Sequence, residues 1–405
     1  MAETQAVQAT RPPPWRDVRV LGIVGQIVAV VSVVLVLRWL IGNLFTNLDE
    51  AGIDRGFDVL NQPTNFAIRD ANFDSRSPLW PDMVVIGVKN TLLSAAVGIV
   101  IAVILGVLIG IGRLSENWLV ARLSQIYVEI LRNIPPLVII AFFSFAVFTF
   151  GPFPPFNPSS PPWQINLPGT DTTALILSND RWGIPSIARD GDLLPFWIAL
   201  AVAAVVAIGL WTWRTRVNIN TGAPHRRGLW AWGGFLLIAV VAFVLLDTPY
   251  RWSWPMVSES GRRIEGGFAT NAGYLSVTIA LGLYTASHIA EIIRGSILAV
   301  PKGQTEAANA LALTGLQRYR FVVLPQAMRI AIPPTINQFL NLTKNTSLAT
   351  VVAYPEITSL VKTAIGNGKP AVQLLVMLMA IYLTFSLIIS VVMNQVNRRF
   401  QLVGR

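Results

Sequence analysis

Apolar stretches about 20 residues long recur along the chain, and that is the length an α-helix needs to cross the hydrocarbon core of a bilayer. They cover 21–45, 88–111, 127–150, 194–213, 229–246, 274–293, 332–352 and 371–393, which predicts eight spans. In the second, Gly106 and Gly110 form a small-xxx-small pair with Gly98 two turns before it, a spacing that lets another helix backbone approach. The first is too long for a signal-peptide core and no small-x-small cleavage site follows it, so it is expected to stay as a helix. The seventh differs from the rest in holding Pro333, Pro334, Asn337, Gln338, Asn341, Lys344 and Asn345. Two long polar segments, 47–84 and 151–193, interrupt the pattern. The second opens with Pro152, Pro154, Pro155, Pro158, Pro161 and Pro162, which favours an extended, polyproline-like surface excursion. Spans four and five, joined by a short basic link at 214–228, carry no charge in their centres and read as a lipid-facing insertion.

Composition agrees with the pattern. Of 405 residues, 53% are hydrophobic and 13% charged, with a mean hydropathy of +0.56. A soluble domain carries about a quarter charged residues, so an ordinary cytosolic enzyme, a disordered chain and a secreted disulfide scaffold are all excluded. The absence of cysteine removes thiol chemistry. Two histidines, His225 and His288, without an HExxH pattern, leave no expected metal site, catalytic residue or cofactor. The net charge of +10 falls in alternate connecting segments: Arg11, Arg16 and Arg19; Arg113 and Arg122; Arg214, Arg216, Arg226 and Arg227; Arg294, Lys302, Arg318, Arg320 and Arg329; Arg398, Arg399 and Arg405. That distribution obeys the positive-inside rule with both termini cytoplasmic, so the charge expresses orientation and not a nucleic-acid partner. Deleting the seventh span would put Arg398, Arg399 and Arg405 on the wrong side.

Ionisable groups inside a membrane are expensive and each needs a reason. Glu129 with Arg132 and Glu291 with Arg294 repeat one i, i+3 arrangement, readable either as self-neutralising pairs at helix ends or as carboxylates lining a path for a charged solute. Lys344, with Asn341, Thr343, Asn345, Thr346 and Ser347 around it, sits too deep to snorkel. It reads as a pathway or gate residue, or as the partner of Glu129 or Glu291 in a buried ion pair. Arg38 and Lys89 lie near interfaces, where snorkelling suffices. His288, one turn before Glu291, reads as a packing residue.

The longest inner connection, 301–325, is the most informative. Residues 306–313 form a strong helix with small side chains on one face, Thr314 and Gly315 break it, and 316–323 make a second short helix that Leu324 and Pro325 are expected to stop. Such a tethered helix–turn–helix suits a partner's groove. Glu306, Ala307 and Ala308, three residues, Ala312, nine residues, Val322, one residue, then Leu324 and Pro325 resembles the EAA loop of ABC-importer permeases. Ala312 stands where that family has glycine and Val322 where it has isoleucine. The alanine is expected to favour helix and to leave the family's close turn in question. Asn90-Thr91-Leu92, the stretch 127–135, Glu291-Ile292-Ile293-Arg294-Gly295 and Lys344-Asn345-Thr346-Ser347-Leu348 extend the resemblance to the polar amino-acid permease group. Segments 56–60 and 65–68 are similar to one branch, the general L-amino-acid permeases for glutamate, glutamine, aspartate and asparagine.

The resemblance implies an all-α integral membrane protein with about eight transmembrane helices: a five-helix type I ABC-importer core, an N-terminal helix and an inserted helix pair. The corresponding organisation is a cytoplasmic tail at 1–20, a first span at 21–45 and a periplasmic segment at 46–86. The permease core then occupies 87–150 and 271–399, interrupted by an insertion at 151–270, and a cytoplasmic tail at 400–405 closes the chain. Glu306, Ala307, Ala308, Ala312, Gly315, Leu324 and Pro325 would couple to an ATPase; Lys344, Glu129, Glu291, Asn345 and Ser347 would line the translocation path or gate. The partners implied are a dimer of ABC ATPase subunits, a second homologous permease, a periplasmic solute-binding protein and membrane lipid, in a bacterial inner membrane. The chain's nearest approach to a P-loop, 366–370, lacks the first glycine and follows lysine with proline, so ATP is expected to bind elsewhere. The alternatives are a gradient-driven secondary amino-acid transporter, which usually carries an inverted repeat with paired broken helices, and a membrane scaffold.

Overall fold

The computed structural model describes residues 13, 15–53, 56–58, 63–64, 66–70, 73–75, 80–189, 193–222, 226–245 and 250–400. Arg11, His225, Arg405, both ends of the chain and much of 56–68 fall wholly or partly outside these residues. Asp17 caps α1 (Val18–Glu50) by accepting from the Arg19 amide, and only Leu48 of that helix is buried. A small hairpin, β1 (Ile68–Asp70) with β2 (Phe73–Ser75), precedes α2 (Trp80–Gly112). Next come α3 (Trp118–Asn133) and α4 (Pro136–Ala141), the latter running on as a π-helix, Phe142–Thr149.

Strands β3 (Trp163–Asn166), β4 (Thr173–Leu177), β5 (Arg181–Ile184) and β6 (Ser186–Arg189) lead to the helix pair α5 (Leu194–Thr221) and α6 (Arg227–Leu245). After it lie β7 (Tyr250–Ser253), β8 (Met256–Val257), β9 (Ile264–Glu265) and β10 (Phe268–Asn271). The chain closes with α7 (Ala272–Leu298), α8 (Lys302–Ala310), α9 (Gly315–Arg318), α10 (Leu324–Asn345), α11 (Ile357–Gly366) and α12 (Ala371–Phe400). Among the described residues α1, α2, α5, α6, α7 and α12 are long and apolar enough to span, and the bent pair of α3 with the segment after it makes a seventh. Helix α10 has 22 residues, about 33 Å at 1.5 Å per residue, but its amides, prolines and lysine keep it out of that apolar set.

The expected third span, 127–150, is broken. Pro135 and Pro136 follow one another; proline lacks an N–H and pushes the residue before it out of the helical region. Ile134 accordingly takes φ −99°, ψ 130°, and Pro136 restarts the helix at its first turn. The two halves are bent by 104°, so Glu129 and Arg132 belong to the amphipathic helix α3, the first half of the bent pair, and not to one straight apolar run.

The 151–193 excursion is also more ordered than a polyproline-like strap. After the prolines, β3, β4 and β5 join β10 in an antiparallel sheet of order β10-β5-β4-β3. Trp182 on β5 packs edge-on against Phe148, with ring centroids 5.5 Å apart, which anchors the sheet to the end of the third apolar segment. Since β10 runs directly into α7, where Asn271 caps the helix by accepting from Tyr274 N, the sheet is mounted on the core. Helices α5 and α6 pack chiefly against each other.

At the centre, α2 lies against α7. An added Cβ at Gly106 would sit 2.7 Å from Ile289 Cβ, and one at Gly110 would sit 2.8 Å from the Ala290 carbonyl oxygen. Reciprocally, Gly282 of α7 accommodates Ile101. Ala95, Ala102, Val277, Ala280, Leu281, Ile289 and Leu342 form the core around this seam. A second core joins Trp80, Met83 and Ile86 of α2 to Ile357, Leu360 and Val361 of α11 and Leu374 of α12.

Overpacking a tight seam costs about 1–3 kcal/mol. Gly106→Val should therefore lower the melting temperature of the purified protein by several degrees. Gly209→Ala, on α5 with no atom within 4 Å of the added carbon, should not lower it. Equal drops in both would show that the seam has no special role.

Candidate functional site

The 301–325 connection folds as two helices clamped together. Helix α8 ends at Ala310, and Leu313 N donates to Ala308 O (3.2 Å) while Ala312 N donates to Asn309 O (2.9 Å). That pair of bonds is a Schellman closure, and it places Ala312 in the left-handed region with φ +54°. The expectation that alanine would favour helix here is corrected: the close turn is made without glycine. What holds the alanine there is the structure on both sides. Thr314 and Gln317 form a reciprocal capping box at the start of α9, and Arg318 Nη1 donates to Asn309 Oδ1 at 2.7 Å across the turn.

Pro325 does not stop the second helix, contrary to expectation. Residues Tyr319–Val323 widen into a π-helix in which Leu324 N reaches back to Tyr319 O. The wider turn lets the chain pass into α10 with Pro325 in its first turn, where its missing N–H matters little. Ala308 is buried; Glu306, Ala307, Ala312, Gly315, Leu324 and Pro325 are exposed. The sequence reading picked out the small residues and overlooked the large apolar ones beside them: Leu311 is 75% exposed, Leu316 80% and Phe321 62%, with Tyr319 also exposed. Their clustering around one turn was the available signal.

On α10, Pro333, Asn337, Asn341 and Lys344 are all exposed, and their spacing puts them on one face. Leu342 and Thr343 are buried on the opposite side; the Thr343 and Thr346 hydroxyls bond back to Phe339 O (2.9 Å) and Thr343 O (2.7 Å). Asn345 and Ser347 are half-buried. The alternative of an ion pair between Lys344 and Glu129 or Glu291 is not met. Leu342 packs over Gly98 of α2, whereas Glu291 pairs with Arg113, 15 residues further along, or about 22 Å at 1.5 Å per residue.

Glu291 is a hub. Arg113 donates to its Oε2, Arg294 Nη2 lies 2.8 Å from Oε1, and Arg132 Nη1 lies 3.8 Å from Oε2. The repeated i, i+3 pairing therefore forms for Glu291 with Arg294 but not for Glu129 with Arg132: Glu129 is exposed and accepts from Gln125 Nε2 at 2.6 Å. His288 packs edge-on against Tyr284, ring centroids 4.7 Å apart.

The sequence reading singled out Asn90 and Thr91 but not the polar cluster they join. The connector before α11 is tied to α2: Asn90 Nδ2 donates to Pro355 O (3.0 Å), Tyr354 Oη to Asn90 O (3.1 Å), and Ile357 N to Thr91 Oγ1 (3.3 Å). Glu356, fully buried, caps α11 by accepting from Thr358 N (2.9 Å) and Ser359 N (2.6 Å), and Tyr382 Oη donates to it at 3.2 Å. Burial holds its carboxyl above the ordinary carboxylate range, against the pull of those hydrogen bonds. A lone glutamate between two apolar stretches carries no pattern that would single it out.

These features define a polytopic membrane protein with an exposed, capped helix–turn–helix at one end of its core and a polar stripe along one core helix. Residues 230–402 match the family described as binding-protein-dependent transport system inner membrane component. The chain is 38% identical over 389 residues to the protein YhdX of Escherichia coli strain K12, covering 94% of each. It is 36% identical to the general L-amino acid transport system permease protein AapQ of Rhizobium johnstonii, covering 94% of this chain and 92% of that one. To the glutamate/glutamine/aspartate/asparagine transport system permease protein BztB of Rhodobacter capsulatus it is 33% identical, covering 96% of each. Among solved structures it aligns with an amino acid ABC transporter at a TM-score of 0.45 and 16% identity, over 79% of this chain and 95% of that one. The chain belongs to the amino-acid ABC transporter permease family: it is a multi-pass membrane transport protein.

Two predictions follow from the turn and the buried carboxylate. A left-handed alanine costs about 1 kcal/mol, and a β-branched residue costs more. Amide hydrogen exchange of residues 311–313 should therefore be slowest in Ala312→Gly, by up to about 5-fold relative to the natural chain, and fastest in Ala312→Val. The reverse order would mean that the turn is not strained. For Glu356, the raised folded-state value makes its stabilising contribution complete below pH about 4.3, and that contribution is lost as pH rises through the folded value. Melting temperatures of the natural chain and Glu356→Gln, measured from pH 4 to 8, should show the natural chain losing ground with rising pH. A difference constant with pH would remove this titration from the account.

Proposed function

We propose that this chain is one transmembrane subunit of an ATP-driven importer for acidic and amide L-amino acids, delivered by a periplasmic solute-binding protein. The single observation that carries the coupling half of this reading is the exposed turn at 302–323. Leu311, Leu316, Tyr319 and Phe321 stand out from a clamped pair of helices, a shape made to be gripped and moved. A dimer of separate ATPase subunits would dock there, around Glu306, Ala307, Ala308, Ala312, Gly315, Leu324 and Pro325, and supply the ATP chemistry. Because α9 continues through the π-helix into α10, a push on the turn would be transmitted to the face bearing Lys344.

The distribution of basic residues supports a cytoplasmic location for that turn and for both termini, in a bacterial inner membrane. A second homologous permease would face the polar stripe of α10. Lys344, with Asn345, Ser347 and, toward the cytoplasmic end, Glu291 and Glu129, would line the path, since amino acids passing through a dry cavity need both charge signs. The names of the relatives AapQ and BztB support this solute class.

Affinity purification from native membranes should bring a P-loop ATPase with the chain in stoichiometric amount, and deletion of 306–313 should release it. A chain recovered alone and folded would overturn the reading in favour of gradient-driven transport. Lys344→Met should cut ATP-driven uptake at least 10-fold while leaving assembly intact. Unchanged uptake would remove Lys344 from the path.

A further inference from the structure

We infer that Arg113, Arg132 and Arg294 form a fork for the carboxylate of a net-anionic solute at the cytoplasmic end of the path; this rests on the importer reading above. Three guanidinium groups, from the turn after α2, from α3 and from α7, converge on the single carboxylate of Glu291. Two positive charges are therefore left over. The acidic residue of α3, Glu129, accepts from Gln125 and makes no ion pair with the three arginines. Arg113 is well sheltered, its side chain 14% exposed, and it anchors the cluster against Glu291. Arg132, at 42%, and Arg294, at 32%, present the remaining donor capacity outward.

Pre-organisation is the reason to treat this as more than a salt bridge. Glu291 engages both of its oxygens with arginine, Oε1 with Arg294 and Oε2 with Arg113, which fixes those two guanidinium planes before any ligand arrives. Arg132 sits 3.8 Å away, beyond a hydrogen bond, so its donors stay available. The Nε of Arg294 is buried with no hydrogen-bond partner. A planar, multiply donating, partly sheltered fork with surplus charge matches a carboxylate in geometry and sign. A zwitterion such as glutamine is neutral overall and gains little from the surplus of positive charge around Glu291; glutamate, nearly isosteric and carrying one negative charge more, gains from it directly. The fork lies about 22 Å along the bundle from the level of Lys344, on the side of the 301–325 connection, so it is placed to receive the solute late in its passage.

The test is equilibrium binding of radiolabelled L-glutamate and L-glutamine to the assembled complex, without its solute-binding protein, in nanodiscs of zwitterionic phosphatidylcholine. The natural complex should hold glutamate at least 5-fold more tightly than glutamine. Arg132→Gln, at the most exposed position of the three, should abolish that preference while leaving glutamine binding within 2-fold. Arg122→Gln removes the same charge from the same helix away from the fork and should keep the preference. Loss of both solutes together in Arg132→Gln, an unchanged preference, no preference in the natural complex, or equal effects of the two arginine variants would each overturn the proposal. If adding phosphatidylglycerol to the discs removes the preference of the natural complex, the fork takes a lipid phosphate and the proposal fails. ATP-driven uptake by the same complex in proteoliposomes separates the two readings. Uptake without a glutamate preference in binding sinks only the fork. A preference that Arg132→Gln removes, without uptake of either solute, sinks only the importer.

Discussion

Everything in the core depends on how closely α2 and α7 approach. Lipid gives no hydrophobic drive for helices to associate, so van der Waals contact between backbones must supply it, and that needs small residues at the seam. Gly106 and Gly110 admit Ile289, Ile293 and the Ala286 and Ala290 carbonyls at distances no side chain would allow, and Gly282 returns the favour to Ile101. With that seam closed, Leu342 of α10 packs over Gly98, and Asn90 and Thr91 reach the connector at 354–357. The same approach brings Arg113, in the turn after α2, to Glu291 of α7. One packing decision therefore positions the polar stripe, the connector and the arginine cluster together.

Proline has three different outcomes in this chain, and the surroundings decide among them. At Pro135 and Pro136 the helix ends and restarts, and the chain bends by 104°. At Pro325 a π-helical turn just before it absorbs the change, and the helix passes through. At Pro333 and Pro334 the helix also continues, in a chain segment held by α7 and α12. The break puts Glu129 and Arg132 on a separate helix, α3, from which Arg132 Nη1 comes to 3.8 Å from Glu291 Oε2. The continuity matters because it joins the exposed turn mechanically to Lys344.

Much of the architecture was legible from hydropathy. Six of the apolar runs match helices long enough to cross a bilayer, and the small-xxx-small spacing pointed to the seam that forms. The family was legible too, in the residues from Glu306 to Pro325 and around Lys344. The sheet β10-β5-β4-β3 was not, because its strands are short, follow a proline-rich stretch, and pair across an insertion of about 80 residues. Glu356 was equally invisible: its burial depends on α11 and α12 closing over it.

The sequence by itself determined where most of the apolar spans fall, which connections are basic, and which connection carries the permease family's pattern. Each of these follows from local composition and period, which operate within a single helix or loop. Only the tertiary structure decided which charges meet. It brought Arg113 and Arg132 from other segments to Glu291, beside the Arg294 of its own helix, and left Lys344 on an open face. The pairing of Arg113 with Glu291 is set by the distance between segments remote in the chain, and that distance exists only once the glycine seam has closed.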